Sequence, residues 1–206
     1  MKYSREYIIR RAFDVFMNKG YDSASISVLQ KELEMSRGAM YRYFKNKEDL
    51  FIAVVDEYFF RVYNKILLNI EDDLTVSELL EKLHRRNKLI VRVFTRSGIT
   101  HMAFLNYTAL IIQAAKHYPD FIFHFKAIHT QLLSLWKKAL IKSIECKQIR
   151  EDIDIDIMCI MFNNINIKES SDSNTNCDEA HFRINLLNEI DKKKQVMDYL
   201  YNLVKI

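Results

Sequence analysis

With 206 residues and a hydrophobic fraction of 49%, the chain has material for one large domain or two small ones and an ample core. Three glycines and one proline are too few for a strand-rich fold, which needs turn residues about every 8–12 positions, so the composition predicts an all-α protein with short connections. The net charge is only +4, yet it is unevenly spread: up to Lys47 there are ten lysines and arginines against five acids. A basic head on a near-neutral body suits a polyanion, although a charge run taken alone is more often a solvated face.

Cys146, Cys159 and Cys177 are odd in number and form no CxxC pair. With no secretory apolar region after Met1, they are expected as reduced thiols in a cytoplasmic protein. The best apolar stretch, Tyr107 to Ala115, contains Gln113 and is far too short to span a bilayer, so no membrane partner is expected.

In chain order, Ser4 caps a predicted helix from about Arg5 to Asn18, with Ile9, Ala12, Phe13 and Phe16 on one face. Lys19-Gly20 stops it, with Gly20 as a left-handed C-cap. Ser25 opens a second helix from Ile26 to Leu33, whose apolar face is Ile26, Leu29 and Leu33. Glu34-Met35-Ser36 turns the chain into a third, very short helix, and the two short helices make a helix-turn-helix. A fourth helix starts at Lys47 and runs through Leu50, Val54, Tyr58, Val62 and Ile66, far enough to leave the small amino-terminal bundle. Asp72-Asp73 marks its end region, Ser77 is the cap expected in the connection, and a helix from about Glu78 to Thr95 follows. After a break at Ser97-Gly98 another spans Thr100 to His117. Pro119 ends it, because the residue before a proline is pushed out of the α region, and a long helix from Asp120 to Lys147 begins. Ile153 to Ile157 alternates like a strand, but Asp154 reads better as an N-cap with an acidic first turn, giving a helix from Ile155 to about Lys168. Glu169 to Asp178 is a polar loop, and a last helix spans Glu179 to Val204, which Lys192-Lys193-Lys194 either interrupts or decorates.

The stretch Ser36 to Leu50 says most about function. Ser36 caps the third helix and Asn46 the fourth, with Asp49 completing an imperfect capping box. A helix of about two turns does not hold itself together in water, so it must be packed on neighbours. Met40 and Phe44 are the inward residues, expected against Phe13, Phe16 and Leu29, while Arg37, Tyr41, Arg42 and Tyr43, then Lys45 and Lys47, cover the rest. A short helix held by a scaffold and covered in cations and phenols is what a DNA groove requires of a recognition helix.

Phe16, Gly20-Tyr21, Ser25-Ile26, Leu29, Ser36, Gly38-Ala39-Met40-Tyr41, Tyr43-Phe44, Lys47 and Glu48-Asp49-Leu50 stand at the offsets found in one family. From Gly20 to Phe51 the chain resembles the tetracycline-repressor-like (TetR/AcrR-like) bacterial transcription regulators. The resemblance implies a helix-turn-helix DNA-binding domain at 1–46 and a helical effector-binding and dimerisation domain at 47–206, about nine helices in all. It implies base contacts from Arg37, Gly38 and Tyr41, and phosphate contacts from Ser25, Ser27, Ala39, Tyr43 and Lys47. Ser36 belongs to the same surface, and Arg42 and Lys45 add general attraction for phosphates. The residue chemistry agrees: arginine grips guanine at two atoms, and tyrosine offers a hydroxyl and a ring for thymine methyls. The chain departs from the family at Gln30 and Leu33, where small residues pack the two helices, and at Glu34, where glycine is common. If that turn needs a positive φ, Glu34 stores about 1 kcal/mol or more of strain.

An effector pocket is expected from Phe104, Tyr107, Ile111, Phe125, His129, Trp136, Met158 and Phe162, whose aromatic and Met-rich character suits a hydrophobic ligand, though any one of them serves a plain core equally well. A family-type dimer would pair the last two helices through Ile157, Met161, Ile165, Leu187, Ile190, Met197, Leu200, Tyr201 and Val204. The histidines show no metal-ligand spacing, and no catalytic constellation or cofactor motif is present, so neither metal, cofactor nor enzyme is expected. The expected partners are a double-stranded DNA operator, a small-molecule effector and a second copy of the chain. The competing reading is a helix-turn-helix scaffold whose carboxyl-terminal domain binds a protein.

Overall fold

The computed structural model describes residues 3–67, 70–96, 101–165 and 179–206. The described elements are helical: α1 (Arg5–Ser23), α2 (Ile26–Glu32), α3 (Arg37–Tyr41), α4 (Lys47–Val55), α5 (Arg61–Leu67), α6 (Val76–Arg96), α7 (His101–His117), α8 (Phe121–Glu145), α9 (Ile155–Asn164) and α10 (Glu179–Val204). A π-helical turn at Asp56–Phe60 joins α4 to α5 as one rod. The chain is all-α, as its composition predicts. No described helix is long and apolar enough to cross a membrane. The predicted loop from Glu169 to Asp178 lies outside the described residues.

Two compact units share the chain. The first comprises residues 1–65 and 100–126. Its core is made by Ile8, Ala12, Phe16, Leu29, Leu33, Met40, Phe44, Leu50, Phe51 and Val54, all buried. Phe51 meets the edge of Phe16 at 5.2 Å, and Phe13 stacks on Tyr58 at 4.0 Å. The last turn of α7 and the residues after it bind this unit: Tyr118 donates to Asp56 at 2.9 Å, and Gln113 donates to Asp22 at 3.3 Å. Burial, then the Asp56 carboxylate, pushes the Tyr118 phenol up from its ordinary value.

The second unit comprises residues 66–99 and 127–206. In it α6 and α10 pack together, with Lys194 between Glu81 (2.8 Å) and Asp198 (2.7 Å), and Asp191 paired with Lys88 (2.6 Å). The Lys192-Lys193-Lys194 run does not interrupt α10. An isolated antiparallel bridge ties Ile149 to Lys205.

Local chemistry explains the helix starts. Ser4, Ser25, Ser36, Asn46 and Asp154 each accept from the backbone N–H three residues on. Three starts and stops differ from expectation. Helix α9 ends at Asn164, short of Lys168, as Ile165 turns extended at ψ 104°. The α6 cap is Thr75, not Ser77: Thr75 N donates to Glu78 at 2.8 Å and Thr75 Oγ1 accepts from Glu78 N at 3.4 Å, a reciprocal capping box. Gly20 has φ 75° and ψ 165°, a positive-φ conformation open essentially to glycine alone and not the left-handed helical one expected of a C-cap, so it kinks α1 and a further turn runs to Ser23.

Candidate nucleic-acid interface

The turn between α2 and α3 sets the angle of the candidate recognition helix. Glu34 has φ 53°; Glu34 N donates to Lys31 O at 3.2 Å and Met35 N to Gln30 O at 3.0 Å. These two bonds form a Schellman stop with glutamate in the place that favours glycine, which is the strain the sequence suggested. Arg11 donates to Glu32 O at 3.0 Å and Tyr3 to Glu34 O at 2.9 Å, so the stop is braced from outside the motif. Gln30 Nε2 is buried and meets no hydrogen-bond partner among the described residues, a cost of replacing the usual small residue.

α3 is five residues long, capped by Ser36 and anchored by buried Met40, with buried Phe44 just beyond. Ser36, Arg37, Gly38 and Tyr41 are exposed, and Ala39 is half-buried. The Arg37 guanidinium carbon stands 5.6 Å from the Tyr41 ring centre, so the two proposed base readers form one amphipathic pair. At the start of α2, Ser25 and Ser27 are exposed and share a 2.9 Å hydrogen bond. Arg42 and Lys45 are exposed.

Two residues expected on phosphates have internal partners. Tyr43 donates its hydroxyl to Tyr3 O at 2.7 Å, so its one hydroxyl proton is committed to anchoring the amino-terminal segment. That geometry argues against a phosphate contact through Tyr43. Lys47 donates to Tyr21 O at 2.9 Å, with its ammonium 3.9 Å from the Tyr21 ring centre. Tyr21 is packed on Phe51 and on His117 of α7. Burial, then the Glu48 and Asp22 carboxylates, pushes its phenol up. Tyr3 and His117 were not among the sequence candidates, because nothing local to the motif names partners so far along the chain.

The expected pocket residues divide between the units. Ile111 and Phe125 lie in the first, and Phe125 is 45% exposed, against a cavity-lining role in this conformation. In the second, Trp136 and Phe162 stack at 4.9 Å as buried core, Met158 is buried, and His129 is exposed. The side chains of Phe104 and Tyr107 lie outside the described residues. Of the expected dimer residues, Ile157 and Met161 are exposed, and Ile165, Leu187, Ile190, Leu200 and Tyr201 are half-buried. Met197 and Val204 are 8% and 5% exposed, so they serve the protomer's own core. Among the described residues of α10, Ile184, Val196, Tyr199 and Leu203 are the apolar ones left outside.

Residues 8–54 match the family described as bacterial regulatory proteins, tetR family. The chain is 37% identical over 67 residues to the HTH-type transcriptional regulator YuxN of Bacillus subtilis (strain 168), a match over 32% of this chain and 23% of that protein. It is 25% identical over 81 residues to IcaR of Staphylococcus epidermidis, a negative transcriptional regulator of the biofilm operon icaADBC, over 39% of this chain and 44% of that one. The matches thus span under half the length of these relatives. In fold, the chain superposes on a tetR-family bacterial regulatory protein from Rhodococcus RHA1 with a TM-score of 0.61, covering 94% of this chain and 96% of that one at 18% identity. Residues 8–54 therefore match the helix-turn-helix head of the tetR family, and the whole chain shares its fold with a solved tetR-family protein.

Proposed function

We propose that this protein is a homodimeric, cytoplasmic transcriptional repressor that holds a near-palindromic DNA operator and releases it when a small hydrophobic effector binds its carboxyl-terminal domain, residues 47–206. The observation that carries the reading is α3: five residues, capped and anchored from beneath, with Arg37, Gly38 and Tyr41 turned to solvent. In this reading those three meet base edges. Ser25, Ser27, Ser36, Ala39 and Lys47 follow the phosphates, and Arg42 and Lys45 add attraction.

One such head offers few base contacts, so useful affinity needs two. A two-fold pair would place the recognition helices about 34–36 Å apart, one DNA turn, or somewhat more. The exposed apolar residues of α9 and α10 supply material for the dimer face. Release is a population shift, which requires the effector to favour the conformation that does not fit DNA. Repression, as opposed to activation, draws support from the similarity of the head to IcaR. The test is selection of bound duplexes from a random pool. Enrichment of an inverted repeat is expected; a pool that stays random, or a single unrepeated site, sinks the proposal.

A further inference from the structure

We propose that Tyr21 and His117 are positioning residues for Lys47, together holding its ammonium ready for a DNA phosphate. The inference rests on the DNA-binding reading above and concerns how the grip is set.

Lys47 opens α4, and a lysine there is ordinarily a mobile side chain in water. Here its ammonium donates to Tyr21 O at 2.9 Å and sits 3.9 Å from the ring centre of the same residue. An ammonium has three donors. One is used, and two remain for an anion that arrives from solvent. A phosphate then meets a cation that no longer needs to be ordered, and preorganisation of that kind favours binding.

The perch is rigid because Tyr21 is. Gly20, with φ 75° and ψ 165°, breaks α1 just before it. The Tyr21 ring is buried, 4.5 Å from Phe51 and 6.0 Å from Phe16, and the His117 ring stacks on it at 4.4 Å with 29° between planes. His117 is the last residue of α7, outside the helix-turn-helix motif. Its Nδ1 lies 4.0 Å from Glu48 Oε1, and its Nε2 is buried with no hydrogen-bond partner among the described residues. One turn earlier, Gln113 donates to Asp22. The end of α7 therefore touches Asp22, next to Tyr21, and Glu48, next to Lys47, and the ring of His117 packs on the Tyr21 ring that the ammonium faces.

The experiment uses the full chain and a labelled random-sequence duplex, with affinity measured across a salt series. Lys47→Gln should lower the salt slope by about one unit. His117→Ala should weaken binding about two- to five-fold where Lys47 is present, and leave it unchanged in the Lys47→Gln background. His117→Phe keeps a ring against Tyr21 and should restore wild-type affinity. Without DNA, the ε-methylene protons of Lys47 should show an upfield ring-current shift that His117→Ala reduces and His117→Phe retains. Tyr21 itself is core, so the ring of His117 is the part to change. Equal losses in both backgrounds, no loss, or a His117→Phe protein no better than His117→Ala overturns the proposal. A wild-type protein that retains no duplex at low salt overturns the DNA reading and this inference with it.

Discussion

Beyond its own helix backbone and chain neighbours, a methyl group added at Gly38 would meet nothing within 4 Å. The protein's own packing therefore does not demand glycine there, and its φ is not in the left-handed region. Gly38→Ala should raise stability by a few tenths to about 1 kcal/mol, since alanine favours a helix. If the α3 backbone approaches DNA closely, the same change should weaken operator binding; a denaturant titration beside an operator titration separates the two, and gains in both would remove Gly38 from the interface. Tyr41→Ala should cost about 1–3 kcal/mol on a selected operator and little on random DNA. Equal losses on both would contradict base reading. At this scale the caps were legible in the sequence, because Ser4, Ser25, Ser36 and Asn46 act within three residues. The fates of Tyr43 and Lys47 were not, because their partners Tyr3 and Tyr21 stand 40 and 26 residues away.

At the scale of elements, the stop between α2 and α3 is under strain that one substitution relieves. Glu34→Gly removes the left-handed penalty of about 1–2 kcal/mol but adds unfolded-state entropy, for a net gain of roughly 0.5–1 kcal/mol. A rise in the denaturant midpoint at unchanged slope would show it; a fall would mean that the Glu34 side chain itself contributes. The α6 capping box makes an acid-sensitive prediction. The Thr75 backbone N–H, then its hydroxyl, holds the Glu78 carboxyl below its ordinary value of 4.5. A carboxyl lowered on folding adds stability above its unfolded pKa and loses it as pH falls through the folded one. Glu78→Gln should therefore flatten the dependence of melting temperature on pH on the acid side of 4.5, and leave it alone near neutrality. An unchanged acid limb would deny the box its energetic role. The helices themselves were readable from periodicity and caps. Thr75 was missed because Ser77 is as good a cap in isolation, and only the reach of Glu78 decides between them.

For the whole molecule, the question is what covers the apolar residues outside α9 and α10. Val196, Tyr199 and Leu203 recur at helical spacing and are exposed, as are Ile157, Ile160 and Met161. Replacing Tyr199 and Leu203 together by glutamate should leave each protomer folded and convert dimers to monomers by light scattering. Operator affinity should then drop by about a hundredfold, since two linked heads act as one binder. An unchanged mass would place the dimer contact elsewhere. The family resemblance names α9 and α10 as the pairing helices, but Met197 and Val204 are buried within the protomer, because a helix buried on one side and exposed on the other offers two apolar faces, and periodicity does not say which is which. The turn at Asp56–Phe60 carries a different consequence. A π turn lodges one extra residue in the spiral, so the residues beyond it are rotated by about 100° from where an uninterrupted α-helix would carry them. Gene variants that lose a single codon there would turn the bulge into an ordinary turn and keep the later side chains on their present compass bearing, whereas the same loss elsewhere in the rod would swing them all by about 100°: the bulge is the one place in this rod where a missing residue does no damage to phase.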